Sequence, residues 1–254
     1  MSNKQEEQEF HDRFVTEGDV RVLESKFYST LAEDNENRLA IDYLGDMTGK
    51  RLLFYGSGGH FSLVADFVRR GASVVAIDIS PQTVAGLTRG VEKEGIAEKA
   101  QALVMDCEKL DFGAASFDFI FARSIVHHLD TEVSLREMNR VLKPGGKITV
   151  FEPLGTNPVI NLYRHFTPDS RTTGEHPFVG RDLDGFRRYF PDMKLHYLYF
   201  LSIAAYLYRM IDRNEKRFAG VFRGLSALDR GLLRVVPGYR YLCWDVLICC
   251  TKAA

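Results

Sequence analysis

The sequence predicts a doubly wound α/β fold with a mostly parallel seven-stranded sheet. Two observations predict it. Short apolar runs recur along the chain, and helical patterns separate most of them. Strands that are apolar along their whole length are buried on both faces, and the helices between them supply the cover. The 254 residues suit one domain with helices on both faces of the sheet.

Each predicted strand is a short apolar run. The first five are nearly continuous in apolar residues, as expected for central strands. The last two are the stretches "MKLHYLYF" and "YLCWDVLICCTK". In chain order the predicted strands are 51–55, 73–77, 101–105, 117–122, 147–151, 193–200 and 241–252.

The predicted helices have recognisable ends. Ser80 can cap a helix that begins with Pro81, and Asp130 or Thr131 can cap another. The sequence Lys-Pro-Gly-Gly at 143–146 stops that second helix and turns the chain into strand five. The helical patterns cover 60–70, 81–94, 131–141, 182–190, 201–235 and much of 1–50.

The change of pattern along the chain predicts how the single domain is organised. Residues 1–50 form an N-terminal helical cap, and residues 51–152 form the core that binds a cofactor. Residues 153–240 form a substrate-side segment with a helical insertion, which includes a long loop or short helices at 153–180. Residues 241–252 form the last strand.

Composition restricts the class of protein. A net charge of −1 and a pI of about 6.7 give no indication of nucleic-acid binding. The four cysteines match neither a disulfide framework nor a zinc pattern. The first residues are polar and acidic, unlike a signal peptide, and no run is long enough to span a membrane. We therefore expect reduced thiols and a cytoplasmic protein.

A glycine turn follows the first predicted strand. The stretch "LLFYGSGGHF" ends an apolar run in Gly56-Ser57-Gly58-Gly59, and Asp78 ends the next run. This outline is typical of a site for a nucleoside cofactor. A dinucleotide site would need glycine at position 61, where the chain has Phe61. The alternatives are a tight turn without a ligand and an aspartate that only caps a helix.

Four blocks in order make the chain resemble a class I S-adenosylmethionine-dependent methyltransferase of the small-molecule type. They are the glycine turn, Asp78 after "SVVAI", Asp106 in "VMDCEKLDF", and the pair "SFDFIFARSIVHHLD" and "REMNRVLKPGGKITVFEP". The match covers about residues 50–155. It implies a Rossmann-like fold, S-adenosylmethionine as cofactor and methyl transfer to a small molecule.

The resemblance also implies which residues contact the cofactor. The glycine turn would approach the methionine half, Asp78 the ribose hydroxyls and Asp106 the adenine amino group. The backbone after strand four would run along the cofactor. The residues concerned are Gly56, Ser57, Gly58, Asp78, Ile79, Asp106, Cys107 and Arg123.

Two positions depart from the family pattern. Phe54 stands where the family has an acid, and His60 stands where it has a third glycine, although Gly59 could serve one residue earlier. The missing acid could weaken cofactor binding by about 1–3 kcal/mol. These departures motivate the alternative function, a catalytically impaired cofactor-binding or regulatory protein on the same fold. Because Asp78 and Asp106 are both present, we expect cofactor binding to be retained.

The histidine pair after strand four lies where the methyl group should be. His127 is the candidate catalytic residue, because a histidine can take the acceptor's proton. The alternative is that His127 and His128 only pack and bond locally. Displacement at a sulfonium can proceed by alignment alone, so no base is obligatory.

The segment after strand five is rich in polar groups among prolines and apolar residues. Its candidate substrate residues are Glu152, Tyr163, Arg164 and His176. The alternative is an internal network in which Arg164 or Arg171 pairs with Glu175. His165, Glu175 and His176 do not have the spacing of a metal site, so we expect no metal.

The stretch 201–218 has two interpretations. It can be a helix packed over the substrate pocket, with tyrosines such as Tyr199 and Tyr206 lining an apolar cavity, or an amphipathic helix in peripheral contact with a membrane. We expect a small-molecule substrate, and the sequence leaves the oligomeric state open.

Overall fold

The fold is described from a computed structural model, in residues 4–9, 12, 30–166, 172, 174–212 and 214–253. Across these residues the sheet has seven strands in the order β3-β2-β1-β4-β5-β7-β6. All neighbours are parallel except β7, which is antiparallel to both β5 and β6. The strands are β1 (Arg51–Tyr55), β2 (Ser73–Asp78), β3 (Ala100–Val104), β4 (Phe117–Arg123), β5 (Leu142–Pro153), β6 (Lys194–Leu198) and β7 (Asp245–Thr251).

The sheet is buried on both faces, as the continuous apolar strands predict. Along β1, Leu52 and Phe54 point into one core and Leu53 and Tyr55 into the other, and all four side chains are buried. The alternation follows from the two-residue period of a strand. The predicted doubly wound, mostly parallel fold is therefore confirmed.

Helices cover both faces. They are α1 (Thr30–Leu44), α2 (Phe61–Arg69), α3 (Pro81–Lys93), α4 (Thr131–Val141), α5 (Pro158–Phe166), α6 (Gly180–Tyr189), α7 (Ile203–Ile211) and α8 (Glu215–Val235). Both predicted caps are present: Ser80 Oγ accepts from Thr83 N at 3.0 Å, and Asp130 Oδ1 accepts from Val133 N at 3.0 Å. Residues 4–9 are also helical. Much of the predicted helical cap, including Phe10, Phe14 and Phe27, lies outside the described residues.

Most element boundaries lie within two residues of the sequence prediction, and three regions differ from it by more. The region 201–235 forms two helices, because the Asn214 side chain accepts from Lys216 N and Arg217 N and so begins a new helix. Strand β7 begins at Asp245, because Pro237–Leu242 is a 3₁₀ helix. Strand β5 begins at Leu142, because it pairs with β4 before the glycine turn as well as after it.

The tyrosines before α7 and within it belong to the core. Tyr199 and Tyr206 are buried and contact each other edge to face, with ring centroids 6.4 Å apart. Tyr206 also packs against Phe218, Phe222 and Trp244. Tyr199 and Tyr206 therefore pack inside the core, whereas the sequence prediction placed them in the lining of a pocket. Within the described part of the chain, the helices are too short or too polar to cross a bilayer.

The strand order reverses between β1 and β4. From β1 the chain moves outward through β2 and β3 and then returns to the other side of β1 as β4. In an open α/β sheet, a ligand binds beyond the carboxyl ends of the strands at such a reversal. The glycine turn after β1 and the histidine pair after β4 therefore meet at one place.

Candidate cofactor and acceptor site

A cavity of about 580 Å³ opens at this place. Its size is in the range of pockets that hold small molecules and cofactors. The loops after β1, β2, β3 and β4 contribute to its wall, together with the N-terminal helical segment and the loop before α6. Its lining includes Lys4, Glu7, Gly56, Gly58, His60, Asp78, Ile79, Asp106, Cys107, Glu108, Arg123, Ser124, Ile125, His128, Leu129, Asp130, Gly174 and His176.

The glycine turn needs its glycines for two different reasons. Gly56 has a φ of +67°, and a Cβ there would lie 2.3 Å from Ile125 Cγ1, so a side chain is excluded. Gly58 also has a positive φ of +53°, and it lines the cavity with its backbone. Ser57 is fully buried, and its N–H donates to the Ile77 carbonyl at 2.8 Å. The turn therefore presents backbone to a ligand without side chains in the way.

The histidine in place of the third glycine does not disturb this turn. Gly59 takes the left-handed conformation with a φ of +78°, whereas His60 has an ordinary φ of −72° just before α2. Position 60 therefore does not require glycine. His60 lines the cavity, and its N–H donates to the Ser57 carbonyl at 3.0 Å.

Phe54 belongs to an aromatic cluster of the core. It is fully buried, and its ring contacts Phe67 and Phe121 edge to face, at centroid distances of 6.1 and 5.1 Å. Edge-to-face aromatic pairs add about 0.5–1.5 kcal/mol beyond their burial. The position of the family's acid is therefore a packing position here.

Asp78 joins the glycine turn to the next helix. Its Oδ2 accepts from Gly58 N at 2.8 Å, and its Oδ1 accepts from Ser80 N at 3.0 Å. The side chain is buried yet lines the cavity. A carboxylate has about four acceptor sites, so both oxygens can still accept from ribose hydroxyls. Ile79 lines the cavity beside it.

Asp106 is held from two sides. Its Oδ2 contacts Lys4 Nζ at 2.5 Å, and its Oδ1 accepts from Glu108 N at 2.9 Å. Cys107 lines the cavity next to it, and burial raises the pKa of its thiol well above the usual value. The thiol is therefore protonated at neutral pH and offers an apolar surface.

Arg123 does more than extend the backbone along the cavity. Its guanidinium pairs with the Glu36 carboxylate from α1 at 2.6 Å, and it lies over the Phe151 ring at 4.8 Å from the centroid. Both members of the ion pair are buried, and Tyr199 donates to Glu36. Glu36, a buried acid that no sequence motif indicated, therefore contacts the cavity-lining residue Arg123.

The loop after β4 is strained and is held by Glu152. Ser124 has a left-handed φ of +48°, which is uncommon for a residue other than glycine. Glu152 Oε1 accepts from Ile125 N at 3.0 Å and Val126 N at 2.8 Å, and its Oε2 lies 2.5 Å from His127 Nδ1. Glu152 is fully buried. This differs from the expected substrate contact, because its oxygens hold the loop and orient His127.

The pKa values of the two histidines are shifted in opposite directions. Burial, and then the neighbouring His128, lower the pKa of His127 more than Glu152 raises it. Burial would also lower the pKa of His128, but the hydrogen bond to Glu7 and the charge of Glu7 raise it. Their rings are 4.0 Å apart between centroids. His127 is therefore mostly neutral near pH 7 and is suited to accept a proton.

In the segment after β5, one predicted substrate residue supports the fold and another lines the cavity. Arg164 Nη1 donates at 3.1 Å both to the Leu154 carbonyl and to Asn161 Oδ1, so its observed partners are internal. Neither of these two partners is Glu175, which the sequence suggested as an ion-pair partner, and neither is a substrate group. His176 lines the cavity, and its N–H donates to the His127 carbonyl at 2.8 Å. Tyr163 lies in α5, and its side chain is outside the described part of the structure.

Several cavity residues come from regions without a recognisable sequence motif. Lys4 and Glu7 lie in the helical segment 4–9, far from the core in sequence. Glu7 contacts His128 Nδ1 at 2.9 Å and accepts from Thr172. A polar N-terminal helix is consistent with many positions, so only the tertiary contacts show that it covers the site.

Residues 54–150 match the protein family described as Methyltransferase domain. The chain is 31% identical over 103 residues to a sterol 4-C-methyltransferase of Caenorhabditis elegans, covering 40% of this chain and 30% of that protein. It is 32% identical over 117 residues to a demethylmenaquinone methyltransferase of Bacteroides fragilis, covering 45% and 48%. The chain thus spans less than half the length of these curated relatives.

Solved structures share the fold over more of the chain. A geranyl diphosphate C-methyltransferase from Streptomyces coelicolor, solved with Mg²⁺, geranyl diphosphate and S-adenosylhomocysteine, aligns with a TM-score of 0.68 at 15% identity, covering 100% of this chain and 98% of that one. A phosphoethanolamine N-methyltransferase from Haemonchus contortus, solved with S-adenosylmethionine, aligns at 0.65 and 21%, covering 87% and 53%. Residues 54–150 therefore match a methyltransferase domain, and the solved methyltransferases share the fold of the chain.

Proposed function

We propose that this protein transfers a methyl group from S-adenosylmethionine to a small, partly apolar molecule. The observation that carries the proposal is the cavity at the strand-order reversal, which brings the glycine turn, Asp78, Asp106 and the histidine loop to one place. The relatives named above are methyltransferases of a sterol and of demethylmenaquinone, which are small molecules. Ile79, Ile125 and Leu129 give the cavity an apolar wall.

The residues present fit this cofactor. The backbone of Gly58 borders the cavity, and a side chain at that position would project toward the cavity-lining His60, whose Cδ2 lies 3.5 Å from the place of a Cβ. Asp78 keeps acceptor capacity for two hydroxyls, and Asp106 for an amino group. Buried Cys107 supplies an apolar surface beside Asp106. We assign Gly56, Ser57, Gly58, Asp78, Ile79, Asp106, Cys107 and Arg123 to the cofactor region.

Methyl transfer here is a displacement. When bound, S-adenosylmethionine supplies a methyl carbon that forms a bond to the acceptor's lone pair, while the carbon–sulfur bond breaks and its electron pair stays on sulfur. The acceptor's proton must leave. His127 is the proposed catalytic residue: Glu152 occupies its Nδ1, which leaves Nε2 for the acceptor's proton, and its ring lies 4.0 Å from the ring of the cavity-lining His128 between centroids. Holding donor and acceptor in line supplies much of the rate.

Substrate choice is proposed to lie in residues 153–240, with His176 in contact with the acceptor. Loops on a rigid scaffold usually carry recognition, and His176 and Gly174 line the cavity. Tyr163 stays a candidate for the same role. The packing of Tyr206 in the core supports a helix that belongs to the fold rather than to a membrane surface. The buried free thiols are consistent with a cytoplasmic location.

The impaired, regulatory alternative rests on Phe54 and His60. The unstrained backbone of His60 removes one of its two supports. The buried Arg123–Glu36 pair also places an acid close to the site, although not at the family's position. We therefore propose an active enzyme.

The test is to incubate the purified protein with methyl-labelled S-adenosylmethionine and a metabolite extract, and to identify by mass spectrometry which molecule gains the label. The variant Asp78→Ala should bind the cofactor tenfold or more weakly by calorimetry, because a lost charged hydrogen bond costs about 1.5–3 kcal/mol. Asp66→Ala, on the outer part of α2, is the matched control. If the protein bound a nicotinamide nucleotide and not S-adenosylmethionine, the proposal would fail.

A further inference from the structure

Two histidines and a glutamate gather beside the cavity, and one of them, His128, lines it. His127 and His128 come from the loop after β4, and Glu175 comes from the loop before α6. One ligand atom of each lies within 4.8 Å of those of the other two. His127 is buried, and the other two are partly exposed. His128 is the member of the group that lines the cavity, together with Gly174 and His176.

A carboxylate from a different element orients each imidazole. Glu152 of β5 lies 2.5 Å from His127 Nδ1, and Glu7 of the N-terminal segment lies 2.9 Å from His128 Nδ1. With a carboxylate as partner, Nδ1 carries the proton, so a bond to an ion would be made by Nε2. Histidines that bind metals almost always donate their other ring N–H in this way.

The local charge favours a cation. Glu152 contacts the imidazole of His127, Glu7 contacts that of His128, and Glu175 lies close to both. An anionic group would meet three carboxylates here, whereas a dication would be neutralised by them. Nitrogen ligands favour zinc and similar transition metals over Mg²⁺, which prefers oxygen ligands.

We propose that His127, His128 and Glu175 bind a divalent transition-metal ion of the zinc type, with an open position toward the cavity. Three protein ligands and one open position are the arrangement of catalytic zinc sites. Ligand atoms in such a site lie about 3.3 Å apart, given bonds of about 2.0–2.1 Å.

The ion deepens the proposed methyl transfer, on which this inference rests. A hydroxyl, thiol or amine of the acceptor that binds at the open position loses its proton more easily, because the ion stabilises the deprotonated atom. The proton goes to water in the cavity, and the acceptor's lone pair attacks the methyl carbon as before. His127 then acts as a ligand of the ion instead of as the base.

The experiment uses the full chain, stripped with a chelator and dialysed. Titration with Zn²⁺ by calorimetry, and with Co²⁺ by visible absorption, should show one ion per chain and the cobalt bands of a four-coordinate site. His128→Asn and Glu175→Gln should each weaken binding at least tenfold. Glu152→Gln should weaken it about 10- to 100-fold, as for other orienting partners of metal ligands. His165→Asn, an exposed histidine of α5, should leave it unchanged.

Far-ultraviolet circular dichroism and melting curves establish that each variant is folded. Absence of stoichiometric binding, or equal affinity in His128→Asn, Glu175→Gln and the unaltered chain, would overturn the proposal. Methyl transfer that continues unchanged after chelation but stops in His127→Asn would also overturn it, and would leave the proposed function standing with His127 as base. Failure to bind S-adenosylmethionine would instead contradict the proposed function itself.

Discussion

Single residues explain why this site can depart from the family pattern. His60 can replace a glycine because its φ is negative, whereas Gly56 cannot be replaced because Ile125 fills the space of a Cβ. Phe54 replaces an acid because its side chain points into the aromatic core between Phe67 and Phe121. Positions in this turn and in the strand before it therefore differ widely in the substitutions that they tolerate.

Restoring the acid at position 54 should unfold the protein. Phe54→Asp loses the buried ring, which costs about 3–5 kcal/mol, and buries a carboxylate as well. We expect a free energy of unfolding, measured by urea denaturation, too low for a stable native state. Phe54→Leu is the control and should lose about 1–2 kcal/mol. A Phe54→Asp variant as stable as the unaltered chain would show that position 54 reaches solvent or cofactor.

Asp245 should make stability depend on pH. Burial, and then the charge of Glu36, raise the pKa of Asp245, although Arg123 and Arg164 oppose the shift. The folded state therefore holds this proton more tightly than the unfolded state, whose pKa is about 3.9. The stabilisation is complete below that value and is lost as pH rises through the folded pKa.

The variant Asp245→Asn should consequently melt at a higher temperature than the unaltered chain at pH 8, and the difference should shrink toward pH 3.5. Differential scanning calorimetry across this range measures it. Asp184→Asn, on the exposed face of α6, is the control and should show no such trend. A lower melting temperature of Asp245→Asn at pH 8 would contradict the assignment.

At the scale of elements, the substrate side is built by loops and helices that brace each other. Arg164 in α5 reaches back to the carboxyl end of β5 through the Leu154 carbonyl. Asp229 in α8 accepts from the N–H groups of Leu201 at 2.7 Å and Ser202 at 3.0 Å, next to the start of α7. The elements that follow strand β5 are therefore held by a few polar contacts. Removal of one of these contacts should first lower the stability of the fold.

Arg164→Ala should lower stability more than it alters cofactor binding. It removes two hydrogen bonds of a charged donor, which we expect to cost about 1–2 kcal/mol. For a chain of this size, that is a fall in melting temperature of about 2–8 °C. Arg187→Ala, which breaks an exposed ion pair of α6, is the control and should have little effect. Unchanged stability with a fall in turnover would return Arg164 to the substrate side.

At the scale of the whole molecule, the site is closed by parts of the chain that are distant in sequence. Lys4 contacts Asp106 and Glu108, Glu7 contacts His128, and Asp12 accepts from Ser80. Each of these partners follows the carboxyl end of strand β2, β3 or β4. Cofactor binding, core stability and the N-terminal segment are therefore expected to be coupled.

A bound cofactor should accordingly stabilise the whole domain. S-adenosylmethionine at about a hundred times its dissociation constant adds about 2.7 kcal/mol to the free energy of unfolding. This corresponds to a rise in melting temperature of about 5–10 °C, measured by thermal shift. NAD at the same concentration is the control and should produce none. An equal rise with both would show that the cavity does not discriminate a methyl donor from a dinucleotide.

The sequence by itself determined the sheet, most element positions and the loops that line the cavity at the strand-order reversal. It could do so because local signals decide these features: continuous apolar runs, the Ser80 and Asp130 caps, and the glycines that the turn needs. These signals depend on a few neighbouring residues, so they can be recognised without knowledge of the rest of the chain.

Only the tertiary structure decided which side chains act together. Glu152 looked like a substrate contact, and its oxygens hold the histidine loop instead. Glu7, Glu36 and Glu175 reach the site or its wall from far along the chain, and no spacing in the sequence relates them to His127, His128 or Arg123. The physical reason is that hydrogen bonds and ion pairs depend on distances of about 3 Å in space, which the packing of whole elements sets and which separation along the chain does not encode.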